Sequence, residues 1–258
     1  MAVNKTKWQV RFRTTGDILF FESFSVCGIE FQMNGDRDFL ALMDLEVSHD
    51  NFRAAADLAY ENLMNIFTAI TLIHKGNLAV ERSSVAATPI KEDTITYEID
   101  ENGNTIKIIN MSADIRMGIH VEARLSKKVK MDENKICRIE KILAVSENNE
   151  HASLILTLLR IDSPYSGFNL FKIFEQIRKD CGREKLKELT PKTQEFSISD
   201  FTNSLDKPHG VGIVHSRHSI STGDISKPMG IEQCKSFLLE LLDNWIDIKI
   251  ALLNESKV

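Results

Sequence analysis

The feature that most constrains this chain is a change in the spacing of its apolar residues near Asp132. Ahead of that point, short runs rich in aromatic and β-favouring residues recur. Beyond it, apolar residues fall at three- and four-residue intervals, the repeat of a helix that buries one face. A chain patterned in this way is expected to be α+β, strand-rich in its first part and helical in its second.

In the first part, Trp8 to Phe12, Ile18 to Val26, Gly28 to Met33 and Phe39 to Val47 read as strands, with turns at Thr15-Gly16-Asp17 and Asn34-Gly35-Asp36. Leu78 to Val85, Thr94 to Ile99, Thr105 to Met111 and Met117 to Leu125 also look extended, and Glu101-Asn102-Gly103-Asn104 is the sharpest hairpin signal. One helix interrupts them. Phe52, Ala55, Ala56, Ala59, Leu63, Ile66, Phe67, Ile70 and Ile73 share a stripe over 51–74, with Asp50 as the expected cap and Lys75-Gly76 as the stop.

In the second part, Ile136, Ile139, Ile142 and Leu143, then Leu154, Leu158 and Leu159, then Leu170, Ile173, Phe174 and Ile177 mark successive helices, one of them ending near Cys181. The last helix carries Ile231, Cys234, Leu238, Leu241, Leu242, Trp245 and Ile248 on one stripe, behind Pro228 and Gly230. The polar run Ser146 to Glu150 divides the chain into a strand-rich region 1–145 and a helical domain 146–258.

A net charge of −5 over 258 residues argues against the broad positive field of a nonspecific nucleic-acid binder, and no DNA-binding signature is present. Two basic clusters, Arg124 to Lys130 and Arg178 to Lys187, leave RNA open as a partner. The second is interleaved with Asp180, Glu184 and Glu188, the pattern of a solvated helical face. No apolar run has the roughly 20-residue length of a membrane span, and none of signal-peptide length begins at Met1. Cys27, Cys137, Cys181 and Cys234 lie far apart, as reduced thiols of a cytoplasmic protein would.

Between the helices, His209, His215, Arg217 and His218 gather three of the seven histidines within ten residues. Histidine can move a proton near neutral pH and arginine can hold phosphate charge, so a phosphodiester reaction could use His215, Arg217 and His218, with His209, Glu175 and Asn203 as binding groups. The competing reading is a hydrogen-bonded corner that orients two helices. A zinc site of His209, His215, His218 and Cys234 matches no zinc-ligand spacing, and Cys234 sits on an apolar stripe, so neither metal nor cofactor is expected. Signatures for phosphate loops, dinucleotide binding, serine hydrolases and zinc proteases are absent.

The order Leu170-Phe171-Lys172-Ile173-Phe174-Glu175, Phe201-Thr202-Asn203, Gly212, Ser216-Arg217-His218, then Pro228-Met229 before a helix reaching Trp245, resembles the MauJ-like, methylamine-utilisation-associated bacterial proteins. The helix from Ala55 to Ile73 is similar too, and the likeness covers mainly residues 150–250. These helical regions in turn look similar to HEPN-type domains, some of which cut RNA through an arginine and a histidine with four to six residues between them. Here Arg217 directly precedes His218, and no arginine has a histidine at that distance. The resemblance therefore implies a non-catalytic HEPN-like protein that works through a protein partner or a homo-oligomer. A metal-independent ribonuclease built on the 209–218 turn, and a small-ligand sensor with the strands as a cup, are the alternatives.

Overall fold

The computed structural model describes residues 6–16, 20–21, 23–33, 37–75, 78–90, 95–99, 105–109, 128–129, 131–161, 164–191, 196–206, 211 and 227–255. The chain is an α+β protein, with strands β1 (Thr6–Gly16), β2 (Phe20–Phe21), β3 (Phe24–Val26), β4 (Ile29–Met33) and β5 (Asp38–Leu45) ahead of helix α1 (Phe52–His74). Strands β6 (Leu78–Val80), β7 (Ala86–Pro89), β8 (Ile95–Ile99), β9 (Thr105–Ile109) and β10 (Lys128–Val129) follow. The remaining elements are α2 (Glu133–Asn148), α3 (Glu150–Leu158), α4 (Gly167–Leu189), α5 (Ile198–Asp206) and α6 (Ile231–Glu255). The chain forms two compact units, one of residues 1–63 and 80–132 and the other of 64–79 and 133–258, so the division falls within α1.

In the first unit, β1 pairs antiparallel with β5 from Thr6 opposite Leu45 to Arg13 opposite Asp38, and β4 continues the sheet on the far side of β5. Trp8, Val10 and Phe12 alternate along β1 with exposed Lys7, Arg11 and Arg13, while Phe39, Ala41, Met43 and Leu45 of β5 lie on the same buried face. Period-two alternation thus sets the register, because a one-residue slip would turn this whole apolar set to water. Phe12 stacks on Phe39 with ring centres 5.4 Å apart, and Phe24 on Phe31 at 4.7 Å. In the same unit the first half of α1 buries Ala55, Ala59 and Leu63 at successive four-residue steps on one face, and Phe52 meets Trp8 of β1 edge to face at 6.0 Å.

Several sequence expectations change here. Gly28 does not begin a strand: Cys27 (φ 51°) and Gly28 (φ 74°) are the two central residues of a tight hairpin turn that pairs Val26 with Ile29. Positive φ at both positions gives the turn the twist of the strands it joins. The cap of α1 is Asn51, whose Oδ1 accepts from Ala54 N at 3.2 Å; Asp50 accepts a bond from the Ser48 hydroxyl instead. Lys75 itself takes the left-handed conformation (φ 52°) that ends α1. The expected strand Leu78 to Val85 is split, because Arg82–Ser84 forms a single 3₁₀ turn between β6 and β7. The turns at Asn34-Gly35-Asp36 and at Glu101 to Asn104, the segment Met117 to Leu125, and Arg124 and Lys127 lie outside the described residues.

The elements of the second unit are helices, apart from the strand residues Leu78 and Ala79, among the described residues. Leu170, Ile173, Phe174 and Ile177 of α4 are all buried, as their spacing requires. Phe174 packs on Phe201 of α5 at 5.4 Å and Phe201 stacks on Phe237 of α6 at 5.2 Å, so an aromatic row crosses three helices. Phe237, Leu239 and Ile246 are buried beside the expected stripe of α6, which is therefore covered around more of its circumference than one stripe. Within the polar run 146–150 the break is confined to Asn149, which caps α3 by accepting from Ala152 N at 2.9 Å. Among the described residues, no helix is long and apolar enough to cross a membrane.

Candidate functional site

The chain is anchored on both sides of the histidine- and arginine-bearing segment. α5 ends at Asp206 with Phe201, Ser204 and Leu205 fully buried, and the chain resumes at Lys227 with Met229 buried before α6. Ser204 Oγ, itself fully buried, accepts from Met229 N at 2.9 Å and so ties the two stems together at their base. Gln233 Oε1 accepts from Gly230 N at 2.8 Å, satisfying a donor at the start of α6. His209, His215, Arg217 and His218 lie outside the described residues.

The two outlying binding candidates are each engaged within their own helix. Glu175 on α4 pairs with Arg178 at 3.5 Å, and Asn203, exposed on α5, donates to Ser199 Oγ at 3.2 Å. Cys234 is fully buried, and desolvation pushes its thiol up to about 12, which keeps it protonated and unsuited to nucleophilic attack or metal ligation. Among the described residues no three histidine, cysteine or acidic side chains gather as a metal site would need.

The best-built polar cluster of the helical unit is centred on Asp180, which sequence reasoning placed on a solvated face. The Asp180 side chain is only 7% exposed and Lys249 only 18%. Asp180 Oδ2 accepts from Lys249 Nζ at 2.6 Å and from Trp245 Nε1 at 2.8 Å, and Oδ1 accepts from Asn149 Nδ2 at 2.9 Å. Burial alone would raise this carboxyl's pKa, but the bonds from Lys249, Asn149 and Trp245 outweigh it and leave the group below its ordinary value. The adjacent Cys181 thiol is shifted upward, by burial first and by the Asp180 charge second.

Local backbone explains how Asp180 is presented. The first helical stretch of α4 stops at Cys181, as its sequence suggested; Gly182 (φ 75°, ψ 173°), in a conformation open essentially to glycine, separates it from a second stretch that runs to Leu189. α6 holds both sides of the break, with Trp245 and Lys249 on Asp180 before it and Asn244 Nδ2 donating to Leu189 O at 2.9 Å after it. The only sequence signal for this cluster was a lone aspartate among basic residues ahead of a glycine, which a surface helix shows equally well.

Chemically, both Asp180 carboxylate oxygens are already taken up by donors on neighbouring helices. A small void bordered by Leu72, Ile142, Leu156, Trp245 and other apolar side chains has a volume of about 10 Å³. Apolar walls of that size hold no ligand. A shallow groove of about 270 Å³ lies between α2 and α6, lined by Asn134, Cys137, Arg138, Lys141, Asp247 and Ile250. Its arginine is committed already, to Asp247 at 2.6 Å and to Asp243 at 3.5 Å. Burial raises the pKa of Asp243, with Arg138 and Lys75 offsetting only part of the shift. The polar groups described here fasten helices together and do not converge on an open cavity. No protein-family model, curated protein or solved structure matches the chain.

Proposed function

We propose that the chain is a non-catalytic, HEPN-like accessory protein that acts by binding a protein partner or a second copy of itself. The observation that supports this reading most directly is the use made of the Asp180 carboxylate. Buried charge is tolerated only when paired and bonded, and here one carboxylate joins α4, α6 and the α2–α3 joint. Such an arrangement serves to hold a scaffold in one shape. The likeness of residues 150–250 to MauJ-like proteins agrees with a role of this kind. Light scattering on the purified chain, together with affinity purification from its native cells, tests the reading. Self-association or one stoichiometric partner is the expected outcome, and a monodisperse monomer that retains nothing would refute it.

A second reading draws on the bond from Met229 N to Ser204 Oγ, which closes the base of the segment carrying His215, Arg217 and His218. In that reading a histidine moves the proton and Arg217 stabilises phosphate charge in a metal-independent ribonuclease. Labelled RNA left intact from about pH 5 to 8, the span over which histidine titrates, would dismiss it. Cleavage that survives Arg217→Ala and His218→Ala would do the same.

A further inference from the structure

Up to its break at Gly182, α4 runs in the same direction as α6. Trp245 meets Asp180 toward one end of the pair, and Lys235 reaches Tyr165 at the other, which brings the two N-terminal ends together. At this corner Phe168, in the first turn of α4, is 54% exposed, and Ile161, in the connection from α3 to α4, is 46% exposed. Two lysines rest on aromatic faces: Lys172 Nζ lies 4.4 Å from the centre of the Phe168 ring, and Lys235 Nζ lies 4.2 Å from that of Tyr165. Among the described residues neither ammonium has a carboxylate within ion-pair distance, whereas Arg13, Arg82, Arg138, Arg178 and Lys249 all do.

Exposed apolar side chains are ordinary when scattered, but these are joined to a local excess of positive charge in a chain whose net charge is −5. The positive ends of two helix dipoles add to that excess, and Glu232, in the first turn of α6, removes one unit of it. A ring already covered by an ammonium keeps its edge open for apolar contact, while the ammonium keeps hydrogen-bonding capacity for an incoming anion. We propose that this corner is a docking surface for an acidic, amphipathic protein segment, with its apolar side chains on Phe168 and Ile161 and its carboxylates on Lys172 and Lys235. The proposal rests on the reading of the chain as a partner-binding protein, and it names the chemistry of the partner.

The test uses the full chain and a fluorescein-labelled 16-residue helical peptide with leucines on one face and glutamates on the other. A counterpart with lysine for glutamate and an oligouridine of similar length are titrated in parallel. The wild type is expected to bind the acidic peptide about tenfold tighter than the basic one, a difference of about 1.4 kcal/mol. Phe168→Ala should weaken that binding about fivefold or more, as loss of an interface anchor does. The double change K172E/K235E should invert the preference in favour of the basic peptide, and circular dichroism should confirm that both variants keep their helices. Equal affinity for the two peptides, or binding unchanged in the variants, overturns the proposal. Oligouridine binding that the same substitutions abolish assigns the corner to nucleic acid and overturns it too, as does self-association lost in the variants. If a native partner or oligomer persists unaltered in both variants, this surface falls while the proposed function stands. If the acidic peptide binds as expected but no native partner or oligomer exists, the surface stands and that function falls.

Discussion

The Asp180 carboxylate concentrates the chemistry of the helical unit in one residue, and its loss should be felt beyond its neighbours. Asp180→Asn leaves Lys249 as a charge in a mostly buried place, so a loss of about 3 kcal/mol is expected in urea unfolding, the scale for breaking a buried ion pair. Combining Asp180→Asn with Lys249→Met, which removes the stranded charge as well, should recover most of that loss. The pH dependence has a definite sign. Because the folded state lowers the pKa of this carboxyl from 3.8, its stabilising contribution is complete above that value. It fades as pH falls through the still lower folded value. The acid side of the stability profile should therefore be flatter in Asp180→Asn than in the wild type. In the first unit, Asn51→Ala should cost about 1 kcal/mol and Asp50→Ala distinctly less, since Asn51 supplies the capping oxygen of α1. Adjacent Asp and Asn are both good caps, so side-chain chemistry alone could not choose between them.

Among the elements, those with a sustained period were legible and those fixed by one or two backbone angles were not. The stripes of α4 and α6 and the alternation of β1 and β5 follow from where apolar residues recur, and burial reproduces that recurrence. The hairpin at Cys27-Gly28 was hidden because Cys27 is an unusual residue for a left-handed position, and in α4 the end near Cys181 was legible but not the glycine angle behind it. Both should respond to substitution. Gly182→Ala meets no atom within 4 Å of its new Cβ, so any destabilisation reports backbone strain alone; about 1–3 kcal/mol is expected in thermal or urea unfolding. Gly28→Ala is equally free of contacts and should loosen the β3–β4 hairpin, seen as faster amide exchange at Val26 and Ile29.

At the scale of the whole molecule, the change of period near Asp132 agrees with the start of α2 at Glu133, which is why the α+β class could be read directly. Sequence order could not reveal that residues 64–79, far upstream, belong to the helical unit. There Leu72 shares a void with Ile142, Ile155, Leu242 and Trp245, so a fragment that lacks it leaves those side chains without one wall. A fragment of residues 64–258 is expected to unfold cooperatively by circular dichroism, and one of residues 146–258 to show less helix and a broader transition. The candidate site was legible as residue types in the 209–218 segment, whereas the Asp180 cluster was not, because it depends on residues about thirty and seventy positions apart in the chain. The bond between Ser204 and Met229 has one more consequence, in the language of chain engineering. It makes the stretch between them an insertion site: with the stems already joined, doubling the length of the intervening chain should cost the helices only about 0.6 kcal/mol. Residues added there should leave α5 and α6 as they are so long as the buried Val211 keeps its place.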